Sequence, residues 1–149
     1  MTGADRQQAH ERLESELGVL WRRVRRLSVD LARQVDAGIE VASYGLLGAL
    51  ADGGDLRAGD LAERFGLDKS TVSRQITQLE ALGLIQRVPD PMDRRSRLIH
   101  VTEDGLVRVR ALRAARGRWL GEALRDWPDA DIDTLVVLLA RLNSSLAPE

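Results

Sequence analysis

Apolar positions recur at three- and four-residue spacing along most of the chain and at two-residue spacing over one short stretch. From His10 to about Gln34, Leu13, Leu17, Leu20, Trp21, Val24, Leu27 and Leu31 mark one face of an amphipathic helix of roughly six to seven turns. A helix that long outreaches a small globular core, which implies packing against another chain. Gly38 precedes a second helix, residues 39–51, with Val41, Tyr44, Leu47 and Leu50 inward. Gly53-Gly54 ends it, because glycine enters the left-handed cap conformation without strain. Two short helices follow, 58–65 and 69–82, joined by Gly66-Leu67, with Asp68 as N-cap of the second. Within that second helix Val72, Ile76, Leu79 and Gly83 share a face. Ser70, Arg74, Thr77 and Gln78 form the opposite stripe, and no acidic residue lies between Ser70 and Gln78.

After Gly83 the period changes to two, and residues 84–88 and 97–101 read as paired strands around a loop at 89–96. Thr102 then caps a helix that opens on Glu103 and Asp104, where negative charge suits the N-terminal dipole, and that runs to about Trp127. Pro128-Asp129 starts a last helix whose core is Ile132, Leu135, Val136, Leu138, Leu139 and Leu142. The predicted fold is mainly α with a small β-hairpin. Two short helices, a tight turn and a hairpin with a basic tip follow the order of a winged helix-turn-helix flanked by long helices.

Composition changes this picture in two places. The 149 residues suit one compact domain with appended helices, and 44% hydrophobic residues suffice for a core. Twenty-two basic residues oppose 23 acidic ones, so the net charge of -1 gives by itself no support to nucleic-acid binding. Position reverses that reading. Between Lys69 and Arg97, six basic residues (Lys69, Arg74, Arg87, Arg94, Arg95, Arg97) face three acidic ones (Glu80, Asp90, Asp93), a local net charge of +3. All the basic residues but Lys69 are arginine, a bias that a GC-rich genome produces and that carries little functional weight.

The absence of cysteine excludes disulfides, thiol nucleophiles and thiolate zinc sites. With His10 and His100 the only histidines, no metal site and no cofactor are expected. No nucleophile–base pairing or Gly-rich phosphate loop argues for an enzyme. No apolar run is long enough to span a bilayer, and the polar N-terminus lacks a signal core, so a soluble cytoplasmic protein is expected.

The run Asp60-Leu61-Ala62-Glu63-Arg64-Phe65-Gly66-Leu67-Asp68-Lys69-Ser70-Thr71-Val72-Ser73-Arg74 leads into Leu79-Glu80-Ala81-Leu82-Gly83-Leu84-Ile85. Then come Asp90-Pro91-Met92-Asp93-Arg94-Arg95-Ser96 and Val101-Thr102-Glu103-Asp104-Gly105. This combination resembles the MarR family (multiple antibiotic resistance regulators), and the flanking long helices extend the likeness over nearly the whole chain. The resemblance implies an N-terminal dimerisation helix at 1–36, a winged helix-turn-helix DNA-binding domain at 37–104 and C-terminal dimerisation helices at 105–149.

The implied recognition helix enters the major groove. Arg74 suits a guanine edge and Gln78 an adenine, while Lys69, Ser70, Thr71 and Ser73 suit phosphates. At the wing, Asp93-Arg94-Arg95 matches the family's acidic-x-basic tip. Arg95 is expected in the minor groove, oriented by Asp93 through a charge-assisted hydrogen bond, with Arg94 and Arg97 as phosphate partners or hairpin-surface charges.

A two-fold dimer sets recognition helices roughly 34 Å apart, so the partner is double-stranded DNA with a pseudo-palindromic operator. The family's small aromatic or phenolic effectors make Trp21, Arg25 and Tyr44, with His10, candidate ligand contacts, although Trp21 and Tyr44 also fit apolar core stripes. The arginines at 22, 23, 25 and 26, and those at 108, 110, 113, 116 and 118, read as solvated or ion-paired faces. The expected function is a homodimeric, sequence-specific regulator, a repressor released by a small molecule. The alternative is a winged-helix architectural or protein-interaction module that binds DNA without strong sequence preference. One departure stands out: Arg57-Ala58-Gly59 opens the first short helix where the family places a Ser or Thr N-cap, a loss that loosens a helix.

Overall fold

The computed structural model describes residues 3–36, 38–93 and 95–146. Six helices and a two-stranded antiparallel hairpin make up these described residues. Their order is α1 (Gly3–Val35), α2 (Val41–Gly53), α3 (Ala58–Phe65), α4 (Lys69–Ala81), β1 (Ile85–Pro89), β2 (Arg97–Val101), α5 (Glu103–Ala123) and α6 (Asp129–Leu146). This is the mainly helical, winged architecture that the periodicity predicts. The chain divides into two compact units, one ending at Arg113 and the other beginning at Ala114.

Differences from the predicted bounds have local causes. Helix α1 begins at Gly3 rather than near His10. Its first turns are polar, supported by pairs such as Gln7 Nε2 donating to Glu11 Oε1 at 3.1 Å, and apolar spacing gives no sign of them. Helix α5 stops at Ala123, short of Trp127. Turn hydrogen bonds from Leu124 N–H to Leu120 O (3.0 Å) and from Trp127 N–H to Leu124 O (3.0 Å) close the chain there. Pro128 then biases the residue before it away from helical geometry.

The core of the first unit is built where α2, α3 and α4 meet the hairpin. Leu46, Leu47 and Leu50 meet Leu61, Val72, Ile76, Leu79 and Ile99, all fully buried. Of the four α2 residues expected inward, Tyr44, Leu47 and Leu50 are buried, whereas Val41 lies exposed in the first turn. Gly54, at φ +76°, terminates α2 and donates its N–H to Leu50 O at 3.0 Å.

The hairpin pairs Ile85 with Val101 through Pro89 with Arg97, one residue later on β1 than predicted. A third extended segment lies beyond the reach of the periodicity argument. Leu56 exchanges both backbone hydrogen bonds with Ile99, at 3.3 and 2.8 Å, and Asp55 Oδ1 meets His100 Nδ1 at 2.7 Å beside it.

The junction between α4, β1 and α5 is close-packed. Thr102 N–H donates to Leu84 O (3.0 Å), Thr102 Oγ1 donates to Gly83 O (2.7 Å) and accepts from Gly105 N–H (3.2 Å), so Thr102 is the cap that the sequence indicates. Gly105 is buried with no room for a side chain, since a Cβ there would stand 2.2 Å from Leu84 O.

In the second unit the expected core of α6 is not a core within one protomer. Leu135, Val136, Leu138 and Leu139 are exposed, and Ile132 and Leu142 only half-buried. Exposed Leu13, Leu20, Trp21 and Val24 on α1 show the same property in the first unit.

Candidate nucleic-acid interface

Asp68 anchors the start of α4 as predicted. Its carboxylate accepts from Thr71 N–H (2.8 Å), from Thr71 Oγ1 (2.7 Å) and from the Ser70 hydroxyl. These donors, the two hydroxyls foremost, hold the Asp68 pKa well below the usual carboxylate range. The consequence bears on Ser70 and Thr71, expected as phosphate donors. Each hydroxyl has one proton, phosphate oxygens only accept, and both protons point at Asp68. In this geometry both residues serve the cap.

The outward stripe of α4 remains open. Ser70, Ser73, Arg74, Thr77, Gln78 and Ala81, with Glu40, line a shallow concavity of about 690 Å³. The Thr77 hydroxyl donates back to Ser73 O (2.9 Å), and Gln78 Nε2 reaches Gly38 O at 3.4 Å, a long bond that leaves the amide available. Lys69 and Arg74 are exposed and make no ion pair among the described residues. Arg87, counted with the basic stretch, instead pairs with Glu80 at 3.1 Å.

The wing loop is built by two aspartates. Asp93 accepts from Arg95 N–H (3.0 Å) and Ser96 Oγ (2.7 Å), while Ser96 N–H donates to Asp93 O (2.9 Å). Ser96 is the main cause of a lowered Asp93 pKa, followed by the Arg95 amide. Asp93 therefore organises Arg95 through its backbone, not through the guanidinium bond that the sequence suggested. The side chains of Arg95 and Arg97 are exposed and unpaired among the described residues; Arg94 lies outside them.

Asp90, the second organiser, has 5% of its side chain exposed and accepts from Met92 N–H at 2.8 Å. It also accepts from Arg57 Nε and Nη2, at 2.9 and 2.5 Å. The Met92 amide and then Arg57 lower its pKa, and Asp90 in turn raises that of Arg57. Arg57 thus has a partner 33 residues away in sequence. Its backbone N–H is received by Asp60 Oδ2 (3.2 Å), the reciprocal half of a capping box, while the Arg57 side chain accepts nothing from the first turn as a Ser or Thr hydroxyl would. The residue type at an N-cap position was the signal for this contact, legible as an oddity but not as a partner.

The ligand candidates differ in exposure. Trp21 is 67% exposed, whereas Tyr44 is 6% exposed. Arg25 lies in a shallow basic groove with Arg22, Arg26, Val29, Asp30 and Arg33. The Tyr44 hydroxyl is buried without a hydrogen-bond partner among the described residues. Burial foremost, and then Asp36, raise its pKa, while Arg108, paired with Asp36 at 3.5 Å, opposes them. His10 is exposed on α1. On α5, Arg108, Arg110 and Arg113 are ion-paired, to Asp36, Glu103 and Asp52, as a solvated face would be. Among the described residues no helix is long and apolar enough to cross a membrane.

Comparison with known proteins agrees with this geometry. A family model described as the MarR family matches residues 37–96. The chain is 35% identical over 135 residues to YxaD of Bacillus subtilis, an uncharacterized HTH-type transcriptional regulator, covering 91% of this chain and 93% of that protein. It is 34% identical over 125 residues to an HTH-type transcriptional regulator of Mycobacterium tuberculosis, with 83% and 85% covered. Among solved structures, a MarR family protein from Bacillus stearothermophilus matches at a TM-score of 0.77 and 25% identity, over 91% of this chain and 96% of that one. A Staphylococcus aureus MepR mutant bound to an oligodeoxyribonucleotide shares the fold, with a TM-score of 0.66 at 21% identity over 91% and 98%.

Proposed function

The chain belongs to the MarR family of DNA-binding transcriptional regulators, which are not enzymes, and from that premise we propose that it works as a homodimeric repressor. Helix α4 reads the major groove and the wing inserts Arg95 into the minor groove. The observation that carries this reading is the open stripe of α4, where a guanidinium, an amide and small hydroxyls share one concave face; α4 itself has no aspartate or glutamate between Ser70 and Gln78, and Glu40 is the one acidic residue in the lining. Arg74 offers a two-pronged donor to a guanine edge and Gln78 a donor–acceptor pair to adenine. Lys69, Ser73, Arg94 and Arg97 are assigned to phosphates. Asp93 shapes the loop that carries Arg95.

Exposed apolar side chains support the dimer. Val136, Val137 and Leu138 on α6 are more than half exposed, an arrangement that one chain in water does not favour. A two-fold pair of wings then calls for a pseudo-palindromic operator. Release by a small aromatic or phenolic effector is the natural control. Tyr44 is the best-supported contact, because its buried hydroxyl lacks a hydrogen-bond partner among the described residues, and burial and then Asp36, paired with Arg108, raise its pKa; Trp21 and Arg25 are further candidates.

Selection of bound sites from random duplex DNA tests the reading. Enrichment of an imperfect inverted repeat is expected. A specific-to-random affinity ratio near one at physiological salt would instead favour a module without sequence preference.

A further inference from the structure

We propose that Arg57 is a positioning residue for DNA binding, holding the wing loop in its binding-competent place through Asp90. The proposal rests on the reading of the wing as a DNA contact and adds a residue to it.

Among the described residues, the side-chain hydrogen bonds and ion pairs that join residues 90–96 to the rest of the protein all come from Arg57. The remaining polar side-chain bonds of that segment close within it: Asp90 to Met92 N–H, and Asp93 to Arg95 N–H and Ser96 Oγ. The loop is therefore a self-organised unit with one side-chain tie to the helix-turn-helix, at the first residue before α3.

The tie has a definite chemistry. Asp90 Oδ1 receives the Met92 amide, and Oδ2 receives both Nε and Nη2 of Arg57. At 5% exposure this carboxylate has little water to turn to. Without the guanidinium it would be a nearly buried charge lacking a counter-charge, and the loop would move outward to hydrate it. Serine or threonine at position 57 would cap α3 but is too short to span to the loop. The departure from the family's N-cap therefore has a physical reason: the position gives up a local side-chain cap for a long-range link, and α3 keeps only the bond from the Arg57 N–H to Asp60.

Arg57 is itself 47% exposed, so a direct contact with DNA is the competing role that the experiment must separate. Two readouts do so on the full-length protein. The first needs no DNA: trypsin cleaves after arginine, and the loop and its edge carry Arg94, Arg95 and Arg97. Arg57→Ala and Asp90→Asn should each speed nicking at these positions several-fold while thermal unfolding of the whole protein changes little. Arg57→Lys, which restores the charge and one donor, should fall between.

The second readout is affinity for the best duplex recovered from a random pool by the unaltered protein. Loss of the tie lowers the fraction of molecules with the wing in place, so Arg57→Ala should weaken binding by about tenfold. In an Arg94→Ala/Arg95→Ala/Arg97→Ala background the same substitution should cost less than about twofold, because the wing then has no assigned DNA contact left to position. An equal loss in both backgrounds overturns the proposal in favour of direct contact, and an unchanged nicking rate overturns it outright. Unaltered affinity in Arg94→Ala/Arg95→Ala/Arg97→Ala alone would sink the minor-groove reading of the wing, and the trypsin result would still decide for or against the tie.

Discussion

Arg74, Ser70 and Asp68 occupy little more than one helical turn and a half, yet their tasks differ. Arg74 is exposed and unpaired among the described residues, so its guanidinium is free for a base edge. Arg74→Ala should weaken binding to the selected duplex by about tenfold or more and relax sequence preference, without changing dimer mass in sedimentation. Ser70→Ala should behave differently: its hydroxyl serves Asp68, so thermal stability should fall more than affinity. The same cap gives a pH dependence. Asp68, Asp90 and Asp93 all have folded pKa values below the ordinary one. Their contribution to stability is therefore complete above about pH 4 and is lost as pH falls below it. Thermal unfolding followed by circular dichroism should show this acid-side decline, and Asp68→Asn should flatten it. Residue type and spacing made the Asp68 cap legible in the sequence. The engagement of the Ser70 and Thr71 hydroxyls with Asp68 was not, since a hydroxyl's direction depends on a neighbour's geometry.

At the scale of elements, the start of α5 shows why a small residue sits where it does. The carbonyl of Leu84 lies 2.2 Å and Val101 Cγ2 2.8 Å from where a Cβ on Gly105 would stand, so the helix can approach β1 only without a side chain. Gly105→Ala should destabilise the fold by about 1–3 kcal/mol, read from denaturant unfolding, with DNA affinity falling in step with the loss of folded protein. Helix α6 makes the opposite point. Its apolar spacing is plain in the sequence, but it faces water along Leu135, Val136, Leu138 and Leu139 in the protomer. Leu138→Glu should convert the proposed dimer to monomer in sedimentation and abolish operator binding; a dimer of unchanged mass would place the interface elsewhere. Periodicity reveals that a face is apolar and is silent on whether its cover is intramolecular. The Leu56–Ile99 bridge escaped the sequence for a related reason, because a single paired residue has no period.

Over the whole molecule, charge is distributed rather than absent. Arg87 cancels against Glu80 and Arg57 against Asp90, leaving Lys69, Arg74, Arg95 and Arg97 without ion-pair partners among the described residues. DNA affinity should fall steeply with salt, and Lys69→Ala should reduce the log–log slope by about 0.9 per protomer while leaving sequence preference intact. Titration of the selected duplex at several salt concentrations measures both. The sequence by itself determined the element order, most of the core faces of α2 and α4, the cap at Asp68 and the basic character of the stretch from Lys69 to Arg97. Each of these depends on residues close together along the chain. Only the tertiary structure decided that Asp93 acts through the loop backbone, that Arg57 answers Asp90, and that Tyr44 is buried while Trp21 is exposed. Arg57 and Asp90 are 33 residues apart, and the Asp93 bonds, though local, depend on the turn that the loop adopts; contact and burial of this kind follow from packing, which leaves no local period or spacing to read.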